Sequence, residues 1–506
     1  MAKNSTPTQR TTRKRKGADE PPARAGKRAR LPVPVPPPLN AIPQPSQADE
    51  KRILLVHGGF DAGQLGLGDD QEKEVMRPRV HPLFLEWVTS GDVGPTGLEQ
   101  VAAGGMHSLI LDSNGKVWSF GSNDSFALGR VTEPPEGKPD NLPELVTGLE
   151  DFRATFIAAS DNLSIAISNE GKLRAWGTFK SDGLLGFMGR KDIVMTPTAL
   201  PALNKKLICA AVCGENHALA LSCDGIVYSW GDGSQYQLGR RILARRKENG
   251  LTPEALHLRS ITGIFTGTHT SFAINRNGVV FAWGLNQMRQ TGVDDDALHI
   301  TTPTEVDALH PSAHGGARVV EIAGGEHHTH FLFDNGEFWA CGRAGADRLG
   351  IAADHPLVTA HEALVVATEQ RLAAYVAEHG ELAKLPDELL PANRPKRGDF
   401  LVPTPIRVAF PPPPTPNNPD PALPPYPIFS NTRIAHITAS ERYSLAVDDS
   451  GRLYSWGEGN ASQLGLGNVS NASTPTRVAN TALKAHRVVA ASAGGQHVLL
   501  LGVKHS

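Results

Sequence analysis

AGGMHSLILDSNGKVWSFGSNDSFALG, from Ala103 to Gly129, and CGENHALALSCDGIVYSWGDGSQYQLG, from Cys213 to Gly239, are two copies of one pattern. Each opens on a small-residue corner ending in histidine and runs through an apolar strand to a turn that closes on glycine. A second apolar strand follows, then a bend, then Leu-Gly. Outward from these copies the turn glycine recurs at Gly115, Gly171, Gly225, Gly278, Gly336 and Gly451. Six residues after each stands a second glycine, at Gly121, Gly177, Gly231, Gly284, Gly342 and Gly457. The turns DSNG, SNEG, SCDG, NRNG, FDNG and DDSG end where a tight hairpin asks for positive φ, which glycine adopts without a Cβ clash. Alternation such as Val227-Tyr228-Ser229-Trp230 places every second side chain between neighbouring sheets. Each repeat therefore predicts one small antiparallel sheet, and such sheets bury their faces by radial packing.

Counting the repeats gives the closure. ILLVHGGFDAGQLGLG, from Ile53 to Gly68, holds the second half of a repeat around Gly58 with no hairpin before it. AGGQHVLLLG, from Ala493 to Gly502, holds the missing first half. Six whole repeats and one split repeat predict an all-β, seven-bladed β-propeller over residues 50–506, in which N- and C-terminal strands share one blade and no long edge strand is left free. Counted from Gly58, the anchor glycines are 63, 56, 54, 53, 58 and 115 residues apart, so the last interval holds extra chain. We assign it to a helical insertion over 351–400 and a Pro-rich one over 410–430. A helix is expected from Thr359 to Leu385, with Leu364, Leu372, Val376 and Leu382 on the face packed against the propeller rim.

The net charge of -2 hides an asymmetry. Residues 1–30 carry ten Lys/Arg against Asp19 and Glu20, so the remaining chain is acidic. Two clusters, Arg13-Lys14-Arg15-Lys16 and Lys27-Arg28-Ala29-Arg30, match a bipartite nuclear import signal read by an import receptor, and such an arm also contacts nucleic-acid phosphates. Seven prolines between residues 31 and 46 favour a stiff polyproline II spacer, so residues 1–49 read as a disordered basic tail with a Pro-rich linker. No apolar run nears the ~18 residues of a membrane span, and the N-terminus lacks a signal-peptide core. A soluble, nuclear protein with no membrane partner is expected. Cys209, Cys213, Cys223 and Cys341 lack paired spacings, which predicts buried reduced thiols and no zinc site.

No phosphate-binding lysine loop, zinc-binding HExxH or nucleophile elbow is present. His107, His217, His328 and His497 share one repeat position, where the other units have Leu163, Thr270 and Tyr443. That repetition predicts blade packing and not a metal cluster. The residues alone describe a binding propeller without cofactor or metal. One irregularity stands out: the Leu-Gly glycine follows its anchor by eight residues in six blades, but Gly186 follows Gly177 by nine. The extra residue lies in Thr178 to Leu184, as a bulge or as a projection.

These repeats, their order, the long third blade, the basic tail and the arginine-rich loop after Gly239 resemble the regulator of chromosome condensation family, nuclear exchange factors for the small GTPase Ran. The resemblance implies a β-wedge at Phe179, Lys180, Ser181, Asp182 and Gly183 that presses on the GTPase and opens its nucleotide site. It implies further GTPase contacts at Asp61, Asp161 and His327 or His328. At Glu215 and Asn216 the chain departs from the family, which has an aspartate just before the histidine. It also implies arginines at Arg240, Arg241, Arg245 and Arg246 that enter the nucleosome's acidic patch, with the tail on DNA, and hence a chromatin-bound protein. The implied mechanism is differential binding: stabilising the nucleotide-free GTPase speeds nucleotide release without shifting the GDP/GTP equilibrium. The alternative is a scaffold that uses the same repeats to bind proteins without exchange.

Overall fold

The structure is a computed structural model that describes residues 38–45, 50–59, 61–69, 74–133, 137–181, 184–188, 192–380 and 384–505. Seven four-stranded antiparallel sheets follow one another around a ring. Blade 1 is the split one. Its inner strands, His486–Ala493 and His497–Lys504, come from the C-terminus, and its outer strands, Arg52–Gly59 and Glu74–Val80, come from the N-terminus. The junction runs in continuous antiparallel register from Arg52 opposite Val503 to Gly58 opposite His497. Blades 2 to 7 start at Leu98, Ala154, Ile208, Ile261, Val319 and Ile434. Up-and-down strand order puts the AGGxH corners and the third-to-fourth-strand connections on one face, called the mouth face below. The DSNG-type turns lie on the other.

The repeated residues make the blades cohere. His107 Nε2 meets Ser164 Oγ of the next blade at 2.9 Å, and the contact recurs from His217 to Ser271 and from His497 to Ser108, both at 2.9 Å. Each of these serines also donates to a carbonyl of the preceding blade: Ser164 to Ala127, Ser271 to Gln237 and Ser108 to Gln64, at 2.7–2.8 Å. With the hydroxyl proton so used, Nε2 of each histidine is the donor and the ring is the neutral Nε2–H tautomer. Where Tyr443 replaces histidine, its hydroxyl reaches the next blade directly and donates to the carbonyls of Gly494 and His497 at 2.8 and 2.9 Å. The packing role expected for this position is therefore seen in hydrogen bonds. Trp176 and Trp283 add a second tie, donating to Ala127 O and Gln237 O of the preceding blade at 2.8 and 2.9 Å. Cys209, Cys223 and Cys341 are buried, Cys213 is half-buried, and all four are unpaired thiols.

Two segments differ from expectation. The insertion helix spans Pro356–His379, with His355 Nδ1 accepting the Leu357 N–H at its start. It buries Val365 and Thr368, while Leu364 is 56% exposed. Leu372 and Val376 of the anticipated face are half-buried in line with them, Leu364 is not, and Leu382 lies outside the described residues. The returning chain holds the helix: Lys396 O holds His361 at 2.7 Å, Lys384 O accepts from Tyr375 OH at 2.9 Å, and Arg397 pairs with Glu362 and Glu369 at 3.1 and 2.8 Å. Within the stretch read as linker, residues 38–45 lie along the turn face, where the Asn40 N–H donates to Cys223 O and its side-chain amide to Ile261 O, both at 2.9 Å.

Candidate functional site

The corner loops converge on the mouth of the central channel, and the residue two before the repeated histidine position lines it. Around the ring that position is held by Gly105, Asp161, Glu215, Thr268, Glu326, Glu441 and Gly495. A small cavity here is lined by Gly105, Asp161, Glu215, Glu441 and Gly495 among others. Four of seven blades supply a carboxylate, on consecutive blades apart from Thr268. Neighbouring blades join through the same loops, Glu215 N–H to Thr268 O and Glu326 N–H to Glu441 O, both at 3.2 Å.

The carboxylates are not equivalent. Glu215 faces His269 at 3.3 Å, and Glu326 has His327 at 3.3 Å, Arg348 at 3.9 Å and Arg442 at 4.0 Å. Asp161 has no ion-pair partner among the described residues. Burial, then the nearby Glu215 and Glu441, push its carboxyl up to about 7. Burial and the charges of Glu326 and Glu215 likewise raise Glu441. An acidic mouth that resists full ionisation is suited to receive a cationic side chain. Burial lowers the His327 imidazole, opposed by Glu326.

Beside the mouth, the long third blade carries the irregular segment as a hairpin, in which Lys180–Ser181 pairs antiparallel with Leu184–Leu185. Asp182 and Gly183, expected at its tip, lie outside the described residues. The feet of the hairpin are Phe179 and Phe187, both fully buried with ring centroids 6.5 Å apart. Gly186 N–H donates to Thr178 Oγ1 at 2.7 Å and to Phe179 O at 3.2 Å.

Several anticipated contact residues take other places. Phe179 is corrected from a contact to an anchor, because its ring is inside blade 3. His328 is also fully buried and meets Ser444 Oγ at 3.1 Å, which leaves His327 as the half-buried member of that pair. Asn216 is 6% exposed. Asp61 is exposed on a third-to-fourth-strand connection of the mouth face, and Lys180 is exposed on the hairpin. Arg240 is corrected from a surface arginine to a strut: it donates to the carbonyls of Ser229 and Thr252 at 3.3 and 3.0 Å and pairs with Glu254 at 2.9 Å. Arg130 does the same in blade 2, donating to Lys138 O and Leu142 O at 2.8 and 2.9 Å. Arg241, Arg245 and Arg246 are exposed around the 3-10 segment Ala244–Leu251. The import-signal residues from Arg13 to Arg30 lie outside the described residues. Glu326, Glu441 and His269 were missed in the sequence, although counting two residues back from each repeated histidine position would have found both glutamates.

Among the described residues no group of three or more His, Cys, Asp or Glu is placed to hold a metal ion, and no helix is long and apolar enough to cross a membrane. A ring of interlocked blades that presents a carboxylate-lined mouth, a raised hairpin and an arginine loop on one face is a protein-binding propeller. The chain belongs to the RCC1-like domain family, whose sequence profile matches residues 53–500. It is 33% identical to Protein pim1 of Schizosaccharomyces pombe, over 96% of this chain and 81% of that one. It is 30% identical to Guanine nucleotide exchange factor SRM1 of Saccharomyces cerevisiae, over 88% and 86% of the two chains. The crystal structure of Prp20p from Saccharomyces cerevisiae, reported with its binding properties to Gsp1p and histones, matches with a TM-score of 0.71 at 28% identity, covering 92% of this chain and 94% of that one. Yeast RCC1 (Prp20) bound to Kap60 matches with a TM-score of 0.73 at 28% identity, covering 96% and 97%.

Proposed function

We propose that this chain is a guanine-nucleotide exchange factor for a Ran-type small GTPase, acting in the nucleus on chromatin. The observation that carries the reading is the hairpin from Lys180 to Leu185, rooted by two buried phenylalanines beside a carboxylate-lined mouth. A relative of similar length is named as an exchange factor, and a structural neighbour is described as binding Gsp1p and histones. In this reading Asp61, Asp161, Glu215 and His327 engage basic and polar groups of the GTPase, while Lys180, Ser181, Asp182 and Gly183 displace its nucleotide-binding loop. Binding energy realised only with the nucleotide-free GTPase lowers the barrier to release. The test is release of a fluorescent GDP analogue from Ran under catalytic amounts of this protein. Wild type is expected to accelerate release, and deletion of residues 180–183 to slow it by on the order of 100-fold, the size of effect a misplaced reacting group has. A folded wild-type protein without acceleration overturns the exchange reading in favour of a scaffold.

The exposed Arg241, Arg245 and Arg246 supply planar forks that match carboxylate-lined pockets, so we assign to them the nucleosome's acidic patch, with the basic tail on DNA and on an import receptor. Replacing the three by alanine is expected to weaken nucleosome binding about tenfold or more at unchanged thermal stability, since arginines at interfaces are common hot spots. Arg240→Ala should instead lower the melting temperature, because its carbonyl partners are left unsatisfied. Equal nucleosome affinity of the triple variant and wild type in electrophoretic titration refutes the assignment.

A further inference from the structure

The hairpin of the third blade is two residues per strand, far below the size at which a two-stranded ribbon holds itself. Its feet are fixed within blade 3 by Phe179, Phe187 and Thr178. Among the described residues a further hold comes from the next blade. Asn216 Oδ1 accepts the backbone N–H of Lys180 at 2.8 Å, and Asn216 Nδ2 donates to Glu215 Oε1 at 3.1 Å. The residue itself cannot shift: its carbonyl accepts from Asp232 N–H at 2.8 Å, and its side chain is closed off from solvent. The two partners also fix the amide orientation, since an N–H can only be met by the oxygen and a carboxylate only by the NH₂. Glu215 continues to His269 at 3.3 Å. One line of contacts thus joins the hairpin of blade 3 to the mouth through blades 4 and 5.

We infer that Asn216 is a positioning residue that sets the hairpin against the mouth, acting through Lys180 and Glu215 and not by touching the GTPase. The assignment rests on the exchange reading for its functional consequence, but not for its structural one. It also explains the residue type. An aspartate here keeps the acceptor for Lys180 yet has no donor for Glu215, and sets two carboxylates against each other. An alanine keeps neither bond.

The test pairs amide hydrogen–deuterium exchange of the hairpin with single-turnover GDP release in full-length protein. In Asn216→Ala the Lys180 amide is expected to exchange about tenfold or more faster, as expected for a segment that opens locally. The maximal release rate should drop by about tenfold at a nearly unchanged half-saturating concentration, a misplacement effect and not a lost binding contact. Asn216→Asp is expected to slow release as well. In the double variant Glu215→Gln/Asn216→Asp the introduced amide donates to the introduced carboxylate, so the pair should recover the rate of Glu215→Gln alone. Wild-type protection of Lys180 in Asn216→Ala overturns the positioning role, as does a loosened hairpin with an unchanged release rate. If wild type fails to accelerate GDP release, the exchange reading falls, while the Lys180 protection still decides whether Asn216 holds the hairpin.

Discussion

Gly325→Ala is expected to cost the propeller about 3–5 kcal/mol, the sum of an overpacked interior and a lost buried hydrogen bond. A Cβ at Gly325 would overlap the imidazole of His328 on one side and the backbone carbonyl of Ser440, in the next blade, on the other. Neither can give way. His328 is fully buried and held to Ser444, and Ser440 N–H is itself bonded to Tyr443 O. The glycine is needed for room and not for φ, and the same crowding against the histidine ring recurs at Gly104, Gly214 and Gly494. Gly59→Ala is the control: its nearest neighbours would lie 3.7 Å from the new Cβ, an ordinary contact, and the change should stay within about 0.5 kcal/mol. Urea titration measures both. The cycle with His328→Ala sharpens the test, since removing the ring also removes the clash and the double variant should be less unstable than the sum of the singles. A Gly325→Ala midpoint equal to that of Gly59→Ala rejects this account of the motif.

This pairing shows what was legible and what was not. The repeat spacing gave the blade count and the shared blade, because turn glycines and hairpin periods are local. Asp161 and Glu215 were found among the site residues through the resemblance, but Glu326 and Glu441 were not. Their meaning depends on ring closure, which brings residues 161 and 441 to one channel mouth. Arg240 and Arg241 are neighbours in a basic run, and composition treats them alike. Only the folded loop separates the one bonded to four backbone carbonyls from the one in solvent. Phe179 read as a projecting residue because the added residue of the third blade lies nearby, yet a projection needs an apolar root, and that is the place Phe179 takes. For the insertion helix, Leu372 and Val376 of the anticipated face are half-buried and Leu364 is exposed, while Arg397 ties the helix to the returning chain through Glu362 and Glu369 on its solvent side.

The buried histidines make the fold acid-labile, and the sign follows from their environment. Burial depresses His57, His217, His330 and His497 to about 3, and His81 and His107 to about 4. The unfolded chain takes up these protons below its ordinary histidine value near 6.5, while the native chain refuses them until about pH 3–4. Stability supplied by keeping these rings neutral is therefore complete above pH 6.5 and is lost as pH falls. Asp161 and His436 pull the other way, because the Asp161 carboxyl, raised to about 7 by burial and by Glu215 and Glu441, and the His436 imidazole, held at about 9 against burial by Glu321, bind protons in the native state first. At roughly 1.4 kcal/mol per group per pH unit, six histidines against Asp161 and His436 leave a net loss on the order of 5 kcal/mol between pH 7 and 5.5. That is about half of an ordinary domain's stability of roughly 5–15 kcal/mol, so the urea midpoint should fall by about half over this range. His497→Gln separates the cause from general acid sensitivity. Glutamine still offers an N–H toward Ser108 Oγ but does not titrate, so the variant should start less stable at pH 7 and lose stability more slowly below it, by about one histidine's share. A wild-type midpoint that is unchanged from pH 7 to 5.5, or a His497→Gln slope equal to wild type, is incompatible with neutral interblade histidines holding the ring together.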